Sequence, residues 1–445
     1  MTLDILDKTQ KMLEKHPLCN HCLGRQFALL GYGVDNEKRG EALKFLLTIK
    51  AHETAMTKDK NGLALLRTLA SNGSYSMANE ILKRMKSKPA EAKTCHLCQE
   101  RLTSAEHLTH IALDKLQEYE YRTVLVGVEL PVEAEEQEDE FKGEFAITYG
   151  ESLRNEFSRN IGKRIAEATG KRIDYERPEV VVLVNPWTEQ VSLQVNPIHI
   201  GGKYRKLVRD IPQSRWLCND CRGKGCRQCN WTGRTYPESV EEIIGIPALK
   251  MTQGKEYSFH GAGREDVDAR MLGLGRPFVI EVKKPQKRRI NLKTLKETIN
   301  SSAKGKVEVS NLCFTSKDVV RKLKRGEEAQ KLYRATVEVD KPILQKQLTA
   351  LKKALTGVNV KQQTPKRVAH RRADLMREKY IYKANVKRLT PKRFELEIRC
   401  QGGLYIKELI TGDDGRTVPS VAKILGAKAV PLELDVLGVY MAKEE

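Results

Sequence analysis

Long apolar runs are missing from this chain. None approaches the roughly 18 residues that a membrane-spanning helix needs, which excludes a spanning helix of the usual kind. The first fifteen residues mix charged and apolar positions in an amphipathic helical pattern without a cleavage site, so no secretory leader is expected and the protein is predicted to be cytoplasmic. Acid is also in short supply: 58 Asp and Glu stand against 79 Lys and Arg, a net charge of +21 with a pI near 9.4. Lysine and arginine gain affinity by displacing counterions from phosphates, so the expected partner is nucleic acid, with an anionic membrane surface as the second choice. What is present is an ordinary apolar content of 40% over 445 residues, enough for two to four domains with cores of their own.

The ten cysteines do not have the spacing of a disulfide framework. Eight form four CxxC pairs, Cys19/Cys22, Cys95/Cys98, Cys218/Cys221 and Cys226/Cys229. A CxxC turn presents two thiolates from one loop, and two such turns complete a tetrahedral zinc shell. No βαβ pattern surrounds any pair, which argues against a thioredoxin-like redox motif. The four cysteines of the last two pairs fall within twelve residues, with glycines between them, and predict a compact four-cysteine knuckle. Zinc is the expected metal, with an iron–sulfur cluster or a metal-free site as alternatives. Arg222, Lys224, Arg227 and Trp231 give that knuckle a basic, aromatic surface suited to RNA. The first two pairs lie some seventy residues apart and are expected to clamp the N-terminal helices to the next part of the chain. His16 and His21 read as surface histidines, Cys313 and Cys400 as core residues.

Residues 1–60 read as helices, with Leu3, Ile5, Leu6 and later Ala42, Leu43, Phe45 and Leu46 on the inner face. Beyond Tyr121 a Val-rich strand is followed by an acidic run, 132–140, expected to be a solvated loop. Leu153, Phe157, Ile161 and Ile165 recur every four residues and predict a helix with basic outer faces; a strand at Val180–Val184 comes after Pro178. This strand, basic helix and strand resemble the C-terminal half of a THUMP domain, an RNA-binding module. The resemblance implies contact with the acceptor stem of tRNA. The expected organisation is a helical metal-binding region at 1–60, completed by the 95–98 pair, a THUMP-like domain at 60–188 and a third domain at 189–445.

In the third domain, His260-Gly-Ala-Gly-Arg-Glu-Asp-Val-Asp-Ala-Arg270 places Asp266 and Asp268 between glycines and arginines. A neighbouring cation holds a carboxylate ionised and able to act as base or nucleophile. Gly263-Arg264-Glu265-Asp266 resembles the Gly-Arg-x-Asp motif of pseudouridine synthases, in which the aspartate is the nucleophile. Lys331-Leu-Tyr333 is similar to that family's Lys-x-Tyr strand, and Cys400-Gln-Gly-Gly-Leu-Tyr405-Ile-Lys407-Glu-Leu409 to its Gly-x-Tyr-Ile-Arg-x-Leu segment.

Together with the cysteine pairs and the THUMP-like module, these matches resemble the archaeal family called pseudouridine synthase ten. The resemblance implies an isomerase acting on uridine 54 and/or 55 in the T-arm of tRNA, with no cofactor for catalysis. It assigns Asp266 as nucleophile, Tyr333 and Tyr405 to the base pocket with Arg264 beside them, and Lys407 as ion-pair partner of the aspartate. Lysine there lacks the bidentate fork of the family's arginine.

Two basic segments are expected to grip the RNA backbone. One is 283–306, with Lys283, Lys287, Arg288 and Arg289, read as a loop or hairpin tip. The other is 363–372, a thumb-like loop with Arg367, Arg371 and Arg372, in which His370 is a phosphate or surface contact. Strands with few helices between them give an α+β fold on a mixed, mostly antiparallel sheet. The chain is expected to be monomeric. A non-catalytic zinc-containing RNA-binding protein and a THUMP-bearing thiouridine synthetase or methyltransferase are the alternatives; the latter two lack their nucleotide or methionine-cofactor loops here.

Overall fold

Helices fill the first hundred residues because capping side chains stop the chain every ten to twenty positions; Asp4, Asp35 and Asp59 each accept from an amide of the following turn. The computed structural model describes residues 4–324 and 329–440, apart from the side chains of residues 324 and 371. It divides into two compact units, Met1–Asn196 and Pro197–Glu445.

The first unit begins with α1 (Ile5–Lys15), α2 (Asn20–Gly24), α3 (Asn36–Met56), α4 (Lys60–Ser71), α5 (Ser76–Arg84) and α6 (Ala105–Leu116). Helices α2 and α3 touch backbone to backbone. A Cβ on Gly24 would fall 1.8 Å from the Asn36 carbonyl oxygen, and one on Gly40 would fall 2.0 Å from that of Asn20. This contact decides which face of α3 is buried. Gly40, Lys44, Leu47, Thr48, Ala51 and Ala55 point inward, while Phe45 and Leu46, expected in the core, are exposed. Burying Lys44 is made possible by three acceptors for its ammonium, Leu18 O, Asn20 Oδ1 and Gly73 O, at 2.6–2.9 Å. Leu3 lies outside the described residues.

Next come β1 (Thr123–Val128), α7 (Val132–Glu144), α8 (Leu153–Thr169), β2 (Arg172–Ile173), β3 (Val180–Asn185) and β4 (Gln190–Val195), in a sheet ordered β2-β1-β3-β4. The acidic run is therefore a helix and not a loop. Glu133 and Glu135 in its first turn complement the helix dipole. Ala134, Glu138 and Phe141 share its buried face, and Glu138 meets the buried Arg25 while accepting from the Leu153 amide at 3.0 Å. Strand β4 pairs with β3 from Asn185↔Gln190 to Val180↔Val195, so this sheet runs to Val195 and the unit ends at Asn196.

The second unit contains β5 (Ile198–Lys206), α9 (Val240–Thr252), β6 (Glu256–Gly261), β7 (Arg270–Lys283), α10 (Leu292–Ser302), β8 (Val307–Thr315), α11 (Lys317–Lys324), β9 (Gln330–Val339), α12 (Gln345–Leu355), β10 (Val358–Gln363), β11 (Met376–Thr390), β12 (Arg393–Gln401), α13 (Ile406–Thr411), β13 (Thr417–Val418), α14 (Val421–Leu425) and β14 (Ala429–Tyr440). Ten strands form one sheet, ordered β13-β10-β11-β12-β9-β14-β7-β5-β8 with β6 also on β7; the β14–β7 pair is parallel and the others antiparallel. The mixed, mostly antiparallel α+β fold read from the sequence is the fold observed.

Two hydrophobic clusters line this sheet, one under α9 and α10, the other under α12, α13 and α14, and Tyr333 on β9 packs against both. The basic segment after β7 is not the expected loop throughout. Asn291 caps α10 by accepting from the Lys293 and Thr294 amides, and Leu295 and Ile299 anchor the helix in the core. Cys400 is buried as expected, but Cys313 is exposed on β8.

Candidate active site and metal centres

The segment joining β6 to β7 carries Asp266. Gly263 turns it with φ +81°, where an added Cβ would meet Lys331 Nζ at 3.1 Å and Arg276 Nη1 at 3.2 Å. Beneath the turn is a buried polar cage. Glu265 pairs with Arg276 at 2.9 Å and accepts from the Tyr204 hydroxyl at 2.9 Å. Gln213 donates to that hydroxyl at 2.8 Å and to the Gly263 carbonyl at 2.9 Å. Arg276 donates to the Ala262 carbonyl at 2.7 Å, and Lys206 to those of Asp266 and Val267 at 3.2 and 3.0 Å. Burial pushes the Tyr204 phenol well above its usual range, reinforced by Glu265, and lowers Lys206 to about 8. Each carbonyl of the turn that is held fixes a peptide plane, and together these bonds set the direction of Asp266.

Opposite Asp266 stand two cations from different elements. Arg367, on the short helical turn Lys366–Arg371 between β10 and β11, approaches its two carboxylate oxygens at 3.3 and 3.4 Å and donates to the buried Glu408 at 2.6 Å. Lys407 on α13 lies 3.4 Å from Asp266 but makes its closer bonds, 2.7 and 2.8 Å, to Asp268. Burial acts to raise the Asp268 pKa, yet the lysine outweighs it and holds that carboxyl below its ordinary value. Arg367, expected on the RNA backbone, thus faces Asp266, and Lys407, expected on Asp266, chiefly serves Asp268.

Strand register brings in the aromatic wall. Tyr333 pairs with Val436, and Val436 with Met271, so the three form a row across β9, β14 and β7 that ends beside the Asp266 turn. Tyr405 caps α13 with its backbone clamped by Gln362, which donates to the Tyr405 carbonyl at 3.0 Å and accepts from its amide at 2.9 Å. Its hydroxyl accepts from Arg372 at 3.1 Å, and the Arg367 guanidinium lies 5.9 Å from its ring centre. Burial raises the Tyr333 phenol, so it is protonated at neutral pH, and lowers Lys331 to about 8 with Arg276 adding to the effect.

Asp266, Arg264, Tyr333, Tyr405, Lys407, Arg367 and Arg372 all line one cavity of about 710 Å³. Lys283, Lys287, Arg288 and Arg289 do not line it; Lys283 pairs with Glu256 at 3.4 Å. The side chain of Arg371 lies outside the described residues. Sequence reasoning missed Tyr204, Lys206, Gln213 and Arg276. The available signal was charge inside otherwise buried strands, Lys206 ending β5 and Arg276 within β7.

Both cysteine quartets are assembled, and in each the sulfurs all lie within 4.8 Å of one another. Cys19 and Cys98 are 3.6 Å apart; in the knuckle the close pairs, Cys218/Cys226, Cys221/Cys229 and Cys226/Cys229, span 3.7–3.9 Å. A tetrahedron of sulfurs at about 2.3 Å from zinc has edges of about 3.8 Å, so both quartets fit that ion. Amides of Gly225 and Gly233 donate to Cys221 and Cys229 at 3.2 Å, as they would to thiolates. His16 and His21 belong to neither set; they bond Glu144 and Glu156 at 2.9 Å. No described helix is long and apolar enough to cross a membrane.

Comparison with known proteins identifies the family. The family described as "Pus10, C-terminal" matches residues 199–440, and "Pus10 THUMP domain, archaeal" matches residues 108–185. The tRNA pseudouridine synthase Pus10 of Methanocaldococcus jannaschii is 44% identical over 97% of this chain and 93% of its own. That of Pyrococcus furiosus is 39% identical over 98% of each. Among solved structures, a Cbf5-Nop10-Gar1 complex matches with a TM-score of 0.28 and 16% identity over 52% of this chain and 61% of that one, too slight a likeness to bear on function. With a family model matching residues 199–440 and identities of 44% and 39% over nearly the full length of these relatives, the chain belongs to the Pus10 family.

Proposed function

We propose that this chain is a tRNA pseudouridine synthase acting on uridine 54 and/or 55 of the T-arm, with Asp266 as nucleophile. The observation that carries the reading is the convergence of one carboxylate, two cations and two tyrosines on a single cavity. The reaction breaks the C1′–N1 bond, turns the uracil and joins C1′ to C5; the C5 hydrogen leaves and N1 gains one, so nothing is consumed. Chemistry inside a paired or stacked arm requires the base to be flipped out, at a cost of a few kcal/mol. Tyr333 and Tyr405 offset that cost by packing the base, and stacking contributes about 1–3 kcal/mol per base.

Arg367 and Lys407 flank the Asp266 carboxylate and aim it, and the protonated Tyr333 phenol can donate to, or relay a proton at, the turning ring. Asp268 competes for the nucleophile's role by position, but its carboxylate is already committed to Lys407. The two cysteine quartets hold structural zinc outside the chemistry. The THUMP-like segment, with Arg154, Lys163 and Arg164 on α8, meets the acceptor stem.

The test is to incubate full-length protein with unmodified tRNA transcript and map pseudouridine at nucleotide resolution. Product at position 54 or 55 is expected, with a loss of at least a thousandfold in Asp266→Ala and a smaller loss in Asp268→Asn. RNA binding without product in wild type would favour a non-catalytic zinc-containing RNA-binding protein instead.

A further inference from the structure

Asp266 stands between two cavities. The larger one receives the reacting uridine in the proposed reaction. A second, of about 180 Å³, adjoins the same turn and is walled by Pro212, Gln213 and Trp216. Arg264, Glu265, Asp266, Arg367 and Lys407 border both. The walls particular to the smaller one, Pro212 and Trp216 among them, have no part in the proposed uridine chemistry.

We infer that the smaller cavity is a subsite for the nucleotide adjacent to the target uridine, its base stacked on Trp216 and its phosphate held between Arg264 and Arg367. The inference rests on the proposed uridine chemistry for its substrate. Three observations lead to it. The two cavities share the Asp266 turn, so an RNA strand with one base in the larger space carries its neighbour past the smaller one. The smaller space joins an aromatic face to cations, the pairing that binds unpaired nucleotides through base stacking and phosphate contact. The Trp216 ring is also built into place. The Thr235 amide donates to the Trp216 carbonyl at 3.0 Å, Leu217 bridges to Arg234, and the ring meets Tyr236 edge to face at 5.5 Å. Arg264 covers the ring from 5.6 Å, where a guanidinium occupies the position of a stacked base until RNA arrives.

A double-mutant cycle between protein and RNA tests this. Full-length wild type, Trp216→Phe and Trp216→Ala are each compared on tRNA carrying an intact or abasic nucleotide immediately 5′ or 3′ of the target uridine, with Kd and single-turnover rate as readouts. Trp216→Ala is expected to weaken intact tRNA by about tenfold or more, appearing in Kd more than in the single-turnover rate, while Trp216→Phe retains most of the affinity. An abasic site on one of the two sides should cost wild type a similar factor and Trp216→Ala nothing further. If neither abasic site weakens wild type, or if Trp216→Ala loses the same factor on every substrate, the subsite is overturned. The abasic substrates test the wild-type protein directly, so a folding defect in the variant does not decide the result. Absence of pseudouridine with wild type would sink the proposed function alone, because the Kd cycle still reports on the subsite.

Discussion

Lys331 is a buried ammonium on the cavity wall, lowered to about 8 chiefly by burial and then by Arg276. The sign of its effect comes from linkage. Between about pH 8 and 10.5 the unfolded chain keeps this proton and the folded chain releases it, so its contribution to stability rises with pH in that window. Below it, the folded state bears the full cost of a poorly solvated charge. Lys331→Met is therefore expected to be more stable than wild type at pH 7, on the order of 2 kcal/mol, with the gain shrinking above pH 8. Denaturation midpoints measured at pH 7 and 9.5 check this, and an equal gain at both would refute it. If the ammonium also draws RNA into the cavity, kcat/KM of wild type falls above pH 8 and that of the variant stays flat. At this scale the sequence was partly legible. Asp266, Tyr333, Tyr405 and Arg264, which line one cavity, could be singled out from the resemblance because the motifs that carry it are local. That Arg367 faces Asp266 and that Lys407 sits closer to Asp268 could not be read, because the two cations reach the turn from 101 and 139 positions away.

Among the elements, the helix pair α2 and α3 shows why periodicity alone misreads a face. The apolar stripe Phe45, Leu46 and Ile49 is exposed, whereas the face with glycine, alanine and a lysine is buried. Close approach of two backbones and three buried acceptors outweigh side-chain bulk, and neither leaves a period in the sequence. The acidic α7 was missed for a related reason: its inward carboxylate depends on Arg25, 113 residues earlier. The strand-rich, mostly antiparallel character of the second unit was legible because alternation along a strand is local, whereas helices α9 and α12 were not read. The N-terminal quartet ties α2 to the segment around Cys95 and Cys98, where the His96 amide also donates to the Pro17 carbonyl at 2.7 Å. Stripping metal with a chelator is expected to speed amide exchange in residues 17–27 and 93–101 by at least tenfold. Structural zinc can contribute about 10 kcal/mol, and unchanged protection in a metal-free chain would refute the clamp.

At the level of the whole molecule, two units with separate cores share a net charge of +21. Binding to tRNA should weaken steeply with salt because released counterions drive it. A chain beginning at Pro197 is expected to lose at least tenfold in affinity for full tRNA while keeping most of its single-turnover rate on a T-arm stem-loop. Equal losses on both RNAs would remove the acceptor-stem role of the first unit.

The Glu265–Arg276 pair beneath the turn also constrains descent. Both side chains are almost wholly enclosed, so losing either one strands the opposite charge at a cost of about 3–5 kcal/mol, a large share of what holds an ordinary domain together. Neither position can drift alone. A lineage that abandons the pair has to change both sites nearly at once, through a short-lived and poorly folded ancestor. These two residues, eleven apart in the chain and neither of them specified by the motif that marks the site, are therefore expected to be inherited as one unit.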